Sequence, residues 1–139
     1  MTGTIDMQVM RYINLFEKIS RVSTKNCFIY NNSIIFAVPE RLVSKAVGKN
    51  GENVKKTGEI LSKKIKIIPL LEEDGNIERF VMNIVEPVTF NRIDVKDGEA
   101  IITAGKQSKA ALIGRNRIRE EELANILKGY LGIKKLRIV

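Results

Sequence analysis

Apolar residues near the start of the chain recur at steps of three and four positions, which is the spacing of one face of an α-helix. This pattern predicts a helix over 5–22. Two short runs of β-branched and aromatic residues follow at 27–30 and 34–38, with the polar residues 31–33 between them. Turn-forming residues between two such runs indicate a β-hairpin. The first part of the chain is therefore predicted to be a helix followed by a hairpin.

A glycine-containing turn interrupts the next helical pattern. Pro39 suits the first position of a helix because its φ is already close to the helical value, and the apolar positions after it predict a helix as far as Val47. The tetrapeptide Gly48-Lys49-Asn50-Gly51 ends that helix, and we predict a further helix over 52–63 and a strand over 65–68. The side chains expected to face inward from the later helix are Val54, Ile60 and Leu61.

The same order of elements recurs after an acidic, turn-rich stretch at 71–76. The patterns there predict helices and strands in the order helix 77–85, strand 88–95, strand 100–104, helix 105–113, turn 114–117, helix 118–130 and strand 134–138. The repeated order indicates that both halves of the chain share one architecture.

The two halves align without a gap across their central parts at an offset of about 66 residues. Gly48 falls on Gly114 and Asn50 falls on Asn116. Internal repetition is informative because it sets the architecture of a whole chain. We predict two small domains, at 1–71 and 76–139, joined by a linker at 72–75.

The chain carries a large basic surplus. Among its 139 residues, 24 are Lys or Arg and 16 are Asp or Glu, which gives a formal net charge of +8. Such a surplus favours polyanionic partners, namely RNA, DNA or an anionic membrane surface. No apolar run approaches the roughly 18 residues of a membrane-spanning helix, and the first residues lack the pattern of a secretory signal. We therefore expect a cytoplasmic monomer without a membrane partner.

Side chains that commonly carry catalysis or hold metals are scarce. The chain has no histidine and one cysteine, Cys27, which lies in an apolar run and is predicted to be a core thiol. Gly105-Lys106 resembles part of a phosphate-binding loop, but Ala100 and Gln107 occupy positions where that motif requires Gly and Ser or Thr. We expect no enzymatic activity and no bound metal or cofactor.

The turn at 48–51 has the chemistry of a phosphate site. Glycine permits positive φ and a close approach of a ligand to the backbone. The next helix presents unpaired amides and a partial positive charge at its first turn, where anions bind. Lys49 adds a cation, and Lys45, Lys55 and Lys56 extend the basic surface. Two glycines between helices often serve only to form a tight turn. Here the preceding strands, the neighbouring lysines and the repetition of the motif favour phosphate binding instead.

These residues resemble the KH family, whose Gly-x-x-Gly loop clamps about four nucleotides of single-stranded RNA or DNA. The order of a helix and two strands before the loop and a helix and a strand after it is similar to the prokaryotic, type II variant. The tandem pair of loops, within 45–54 and 111–117, resembles the archaeal NusA-type transcription termination and antitermination factors. The resemblance implies an α+β fold of two tandem type II KH domains, each a three-stranded sheet covered by helices.

The second loop departs from the KH pattern. Arg117 replaces the final glycine, and the carboxylates of 120–122 lie where they would repel a phosphate, while Arg115, Arg117 and Arg119 supply planar phosphate donors. We expect the first loop to bind RNA in the typical manner and the second to bind differently or to support the first. The residues predicted to contact RNA are Lys45, Gly48, Lys49, Asn50, Gly51, Lys55, Lys56, Lys106, Lys109, Gly114, Arg115, Asn116 and Arg117.

The resemblance implies a factor that binds single-stranded RNA and takes part in transcription termination or antitermination, with RNA polymerase as a further partner. Two alternatives keep the fold and change the role. One is a ribosomal or ribosome-assembly protein that binds ribosomal RNA, and the other is a module that docks on RNA polymerase. For the RNA-binding roles, affinity is expected to fall steeply with salt because phosphate neutralisation dominates such binding.

Overall fold

The computed structural model describes residues 7–72 and 75–139, which form two compact units divided at that gap. In the described ranges there are six α-helices and two three-stranded sheets, which confirms the predicted α+β class. The predicted helix start at Ile5 and the linker residues Glu73 and Asp74 lie outside the described residues.

The first unit has the order helix, two strands, two helices and strand. Its elements are α1 (Met7–Ser20), β1 (Asn26–Tyr30), β2 (Ser33–Val38), α2 (Val43–Val47), α3 (Glu52–Leu61) and β3 (Lys64–Pro69). The central strand β2 pairs antiparallel with β1 and parallel with β3. Asn31 and Asn32 both have positive φ in the hairpin turn, which matches the twist that a two-residue hairpin loop requires.

The core of the first unit lies between its helices and one face of its sheet. Phe16 of α1 is 1% exposed and stacks on Phe36 of β2, with the ring centroids 4.2 Å apart. Ile34, Val38 and Ala46 belong to the same buried cluster. Ile34, Phe36 and Val38 share a face because side chains alternate along a strand. Burial of each large apolar side chain contributes about 1.5–3 kcal/mol and fixes the helices on the sheet.

The second unit repeats this order. Its elements are α4 (Ile77–Val85), β4 (Arg92–Lys96), β5 (Glu99–Thr103), α5 (Lys106–Ile113), α6 (Ile118–Leu131) and β6 (Lys135–Ile138). The central strand β5 pairs antiparallel with β4 and parallel with β6. Ala100 and Ile102 of β5 and Leu112, Leu123 and Leu127 of the helices are fully buried, so helices again cover one face of the sheet.

The predicted offset of about 66 residues holds from the hairpin to the start of the last helix. β1 and β4 coincide end for end at this offset, as do the short 3₁₀ turns Lys49–Gly51 and Arg115–Arg117. The offset then fails, because α6 has 14 residues where α3 has 10. The repeat is therefore closest around the turn between the helices.

Two predictions about individual elements are wrong. The strand predicted over 88–95 begins only at Arg92, because Val88 donates to the Val85 carbonyl in a turn and Phe90 is buried from a loop. Ile60, predicted to face inward, is 55% exposed, and Thr57 occupies the buried side of α3 instead. The apolar pattern alone did not distinguish these positions.

Candidate functional site

The tetrapeptide 48–51, named here the first glycine corner, joins α2 to α3 through a short 3₁₀ turn. Gly48 has φ 83° and ψ 167°, Asn50 has φ 56° and ψ 26°, and Gly51 has φ 73° and ψ 19°. The Gly48 conformation belongs to a region of φ and ψ that is essentially confined to glycine. The backbone conformation at position 48 therefore requires glycine, as the sequence predicted.

A second reason for glycine at position 48 is the side chain of Asn53. A Cβ on Gly48 would lie 2.8 Å from Asn53 Nδ2 and 3.0 Å from the Asn53 backbone nitrogen. The same Nδ2 donates to the Lys45 carbonyl oxygen at 3.2 Å, which ties the end of α2 to the first turn of α3. The sequence did not predict this role of Asn53. The feature in the sequence that could have indicated it is the position of Asn53 five residues after Gly48.

Gly51, in contrast, faces open space. A Cβ placed there would have no atom within 4 Å. A ligand can therefore approach the backbone closely at this end of the corner, where α3 begins.

The hydrogen bonds of the corner close a short turn immediately before the start of α3. The Gly48 amide donates to the Ser44 carbonyl at 3.0 Å, and the Gly51 amide donates to the Gly48 carbonyl at 3.1 Å. The amides of Lys49 and Asn50 precede the first turn and have no intrahelical acceptor. These amides and the positive end of the α3 dipole are features that favour an anion, whereas Glu52 places one carboxylate in the first turn of α3.

The four lysines of the first unit that were predicted to contact RNA lie before, within and after this corner along the chain, and all four are exposed. Lys45 lies on α2, Lys49 in the 3₁₀ turn, and Lys55 and Lys56 on α3. Within the described ranges, no carboxylate lies within ion-pairing distance of any of these four ammonium groups. Their charge is thus available to an anionic ligand.

The corresponding tetrapeptide 114–117, the second glycine corner, has almost the same backbone. Gly114 has φ 75° and ψ 171°, Asn116 has φ 56° and ψ 27°, and Arg117 has φ 60° and ψ 21°. Arg117 therefore adopts the left-handed conformation that Gly51 has in the first corner, although this conformation costs a residue with a Cβ about 1–2 kcal/mol. A Cβ on Gly114 would lie 2.6 Å from Arg119 Cγ, so Arg119 fills the space that Asn53 fills in the first unit.

The electrostatics of the two corners differ. Arg117 Nη1 lies 3.6 Å from Glu120 Oε1, and Arg119 Nη1 pairs with Glu122 Oε1. The Arg119 side chain is 20% exposed, so this guanidinium, predicted to be a phosphate donor, is turned toward Glu122. Arg115 and Asn116 are exposed, and in the part of the chain that the structure describes no carboxylate pairs with Arg115.

The remaining predicted site residues, Lys106 and Lys109, lie exposed in the first turn of α5, the helix that leads into the second corner. Cys27, predicted to be a core thiol, is half-buried on β1 and packs against the core of the first unit. None of the helices in the described residues combines the length and the apolar composition of a membrane span, and no three potential metal ligands lie together there.

Comparison with known proteins places the chain in a family. A "Probable transcription termination protein NusA" from Methanocaldococcus jannaschii is 32% identical over 131 residues, which span 91% of this chain and 70% of the relative. A protein of the same name from Methanococcus vannielii is 28% identical, over 94% of this chain and 76% of the relative.

A solved structure, "Crystal structure of APE1850", matches with a TM-score of 0.67 and 26% identity, covering 97% of this chain and all of the other. No protein-family model matches the chain. On the identity and coverage of these relatives, the chain belongs to the archaeal NusA family of transcription termination proteins.

Proposed function

We propose that this chain binds single-stranded RNA through two tandem type II KH domains, at 1–71 and 76–139, and regulates transcription termination or antitermination. The observation that carries the proposal is the pair of glycine corners, which have almost the same backbone angles and occupy equivalent places in two units. The relatives named as probable transcription termination proteins support the process.

The topology supports the KH assignment. In each unit a helix and two strands precede the glycine corner, and a helix and a strand follow it. The last strand adds to the sheet parallel to the central strand. This is the order that the type II resemblance implies, and it brings a glycine corner to the start of a helix in both units.

Binding begins with the phosphate backbone. A phosphate at the first corner accepts hydrogen bonds from the Lys49 and Asn50 amides, and Gly51 leaves the space that this approach needs. Lys45, Lys49, Lys55 and Lys56 add charge around the corner. Each phosphate neutralised releases counterions, so affinity falls as salt rises.

The second corner contributes less. Gly114, Arg115, Asn116 and Arg117 repeat the backbone of the first corner, but Glu120 competes with a phosphate for Arg117. Lys106 and Lys109 of α5 are auxiliary phosphate contacts. RNA polymerase remains a predicted further partner.

The direct test is titration of RNA into the native chain and into Lys49→Asp/Asn50→Asp, which keeps both glycines and places repelling charge in the corner. We expect affinity to fall by at least about tenfold, because a desolvated charge contact is worth about 1.5–3 kcal/mol. Asn14→Asp/Lys18→Asp is the matched control: it makes the same change in residue types and net charge on exposed positions of α1. Equal losses in the two variants would mean that the first corner is not the binding site.

A further inference from the structure

The sheets of the two units differ on the face that lies away from the helix-packed core. In the first unit the middle of this face is apolar, with Tyr30, Ile35, Ala37 and Ile68 between 0% and 5% exposed, and its charged residues are Lys64 and Lys66 of the edge strand β3. In the second unit the strand register brings charged residues to the equivalent face. The two repeats therefore share a core and differ in what the opposite sheet face presents.

The charged face of the second sheet is basic and open. Strand alternation and pairing place Arg92, Asp94 and Lys96 of β4, Glu99 and Ile101 of β5, and Lys135 and Arg137 of β6 on it. The side chains of Arg92, Lys135 and Arg137 are 69%, 70% and 52% exposed. We name this surface the basic sheet face.

The carboxylates of the basic sheet face are engaged by part of its cations. Asp94 Oδ2 lies 3.2 Å from Arg92 Nε, and Glu99 lies 4.0 Å from Lys135 Nζ and 3.9 Å from Arg137 Nη1. Within the described ranges, Lys96 and the adjoining Lys134 have no carboxylate within ion-pairing distance. Asp97 of the hairpin turn adds one carboxylate, so Lys96, Lys134 and Lys135 leave a small positive surplus at the hairpin end of the sheet.

That end of the sheet also forms a hollow of about 470 Å³, which is lined by Lys96, Asp97, Gly98, Glu99, Ile101, Lys134 and Lys135. The Lys134 side chain packs beside Gly98, where a Cβ would lie 3.5 Å from Lys134 Cδ, and the Lys134 amide donates to the Gly98 carbonyl at 2.8 Å. The lysine at position 134 is thus held at the rim of the hollow by the hairpin turn.

We propose that the basic sheet face is a second RNA-binding surface, which holds the sugar–phosphate backbone of RNA without reading bases. Charge complementarity favours a polyanion, and the face carries no aromatic side chain on which bases would stack. Lysine and arginine contacts to phosphates position a nucleic acid and give affinity that does not depend on sequence. The inference rests on the proposed RNA-binding function and adds a site separate from either glycine corner.

The test compares a tetranucleotide, which is about the length that one glycine corner clamps, with an unstructured RNA of about 30 nucleotides. The variant is Lys96→Glu/Lys134→Glu, which leaves the ion pairs of Glu99 and Asp94 intact. The control is Lys18→Glu/Lys25→Glu, an equal change of charge at exposed positions of the first unit. Tetranucleotide binding is followed by NMR shifts of the Gly48 and Gly51 amides, and thermal unfolding verifies that each variant is folded.

We expect the variant to bind the long RNA about three- to tenfold more weakly than the control. Its affinity should also depend less on salt, with a slope of log affinity against log salt that corresponds to about one to two fewer phosphate contacts. Its tetranucleotide binding should equal that of the control. If the variant binds the long RNA as tightly as the control does, the inference is overturned. Polyglutamate serves as a second polyanion. A variant that binds polyglutamate more weakly than the control but binds the long RNA equally well also overturns the inference. Absence of tetranucleotide shifts at Gly48 and Gly51 in the native chain would instead overturn the corner site, while the long-RNA comparison still decides the sheet face.

Discussion

At the scale of single residues, the two glycines of the first corner have different physical duties. Gly48 combines a glycine-only backbone conformation with a side-chain position already occupied by Asn53, whereas Gly51 needs only the left-handed conformation and faces open space. Arg117 holds the position equivalent to Gly51 with the same backbone angles. A side chain is therefore tolerated at the end of the corner and excluded at its start.

This difference predicts unequal costs of substitution. Gly48→Ala should lower the free energy of unfolding by at least about 2 kcal/mol, because strain in a glycine-only region costs about 1–3 kcal/mol and the steric clash with Asn53 adds to it. Gly51→Asn should cost less than about 1 kcal/mol, because asparagine tolerates the left-handed conformation. Chemical denaturation of both variants provides the comparison, and equal costs would refute this account of the corner.

At the scale of secondary-structure elements, α3 has an unusual inward face. Thr57 is fully buried, and its Oγ1 has no hydrogen-bond partner among the described residues. A buried hydroxyl without a partner costs about 1–3 kcal/mol. The helix is held by Val54 and Leu61, which pack against the core on either side of this position.

Thr57→Val should therefore stabilise the protein by about 1 kcal/mol, because it replaces the hydroxyl with a methyl group of similar shape. Thr57→Ser should destabilise it, because the hydroxyl stays while a buried methyl group is lost. Melting temperatures of the two variants should move in opposite directions. A lower melting temperature for the valine variant would show that the hydroxyl has a favourable interaction in solution.

Predictions from sequence succeeded where local pattern and backbone chemistry agree. The repeated Gly-basic-Asn turns identified the two corners, and the polar residues at 31–33 identified the first hairpin turn, where Asn31 and Asn32 have positive φ. They failed where tertiary packing decides, as for Ile60, which is exposed although apolar, and Phe90, which is buried from a loop. The roles of Asn53 and Arg119 were also missed, because the spaces they fill exist only after two helices meet.

At the scale of the whole molecule, the repeat offers a matched comparison. Both corners keep the same backbone, so differences in their binding must come from side chains. The first corner has exposed lysines without carboxylate partners among the described residues, whereas the second is followed by the carboxylates of 120–122, two of which engage Arg117 and Arg119. The pair that the exposed Arg117 makes with Glu120 is weak, at about 0–1 kcal/mol, yet several carboxylates at a helix start also repel an approaching phosphate.

The same change of charge, made separately in each corner, tests whether side-chain charge determines how strongly each corner binds RNA. Lys49→Asp/Asn50→Asp in the first and Arg115→Asp/Asn116→Asp in the second each convert one cation and one amide to carboxylates. We expect the first variant to lose at least about tenfold in RNA affinity and the second about two- to threefold, since the second corner starts from a smaller uncompensated charge. Binding isotherms at two salt concentrations measure both, and the first variant should show the larger decrease in salt slope. If both variants lose affinity equally, backbone geometry rather than net local charge determines how each corner binds RNA.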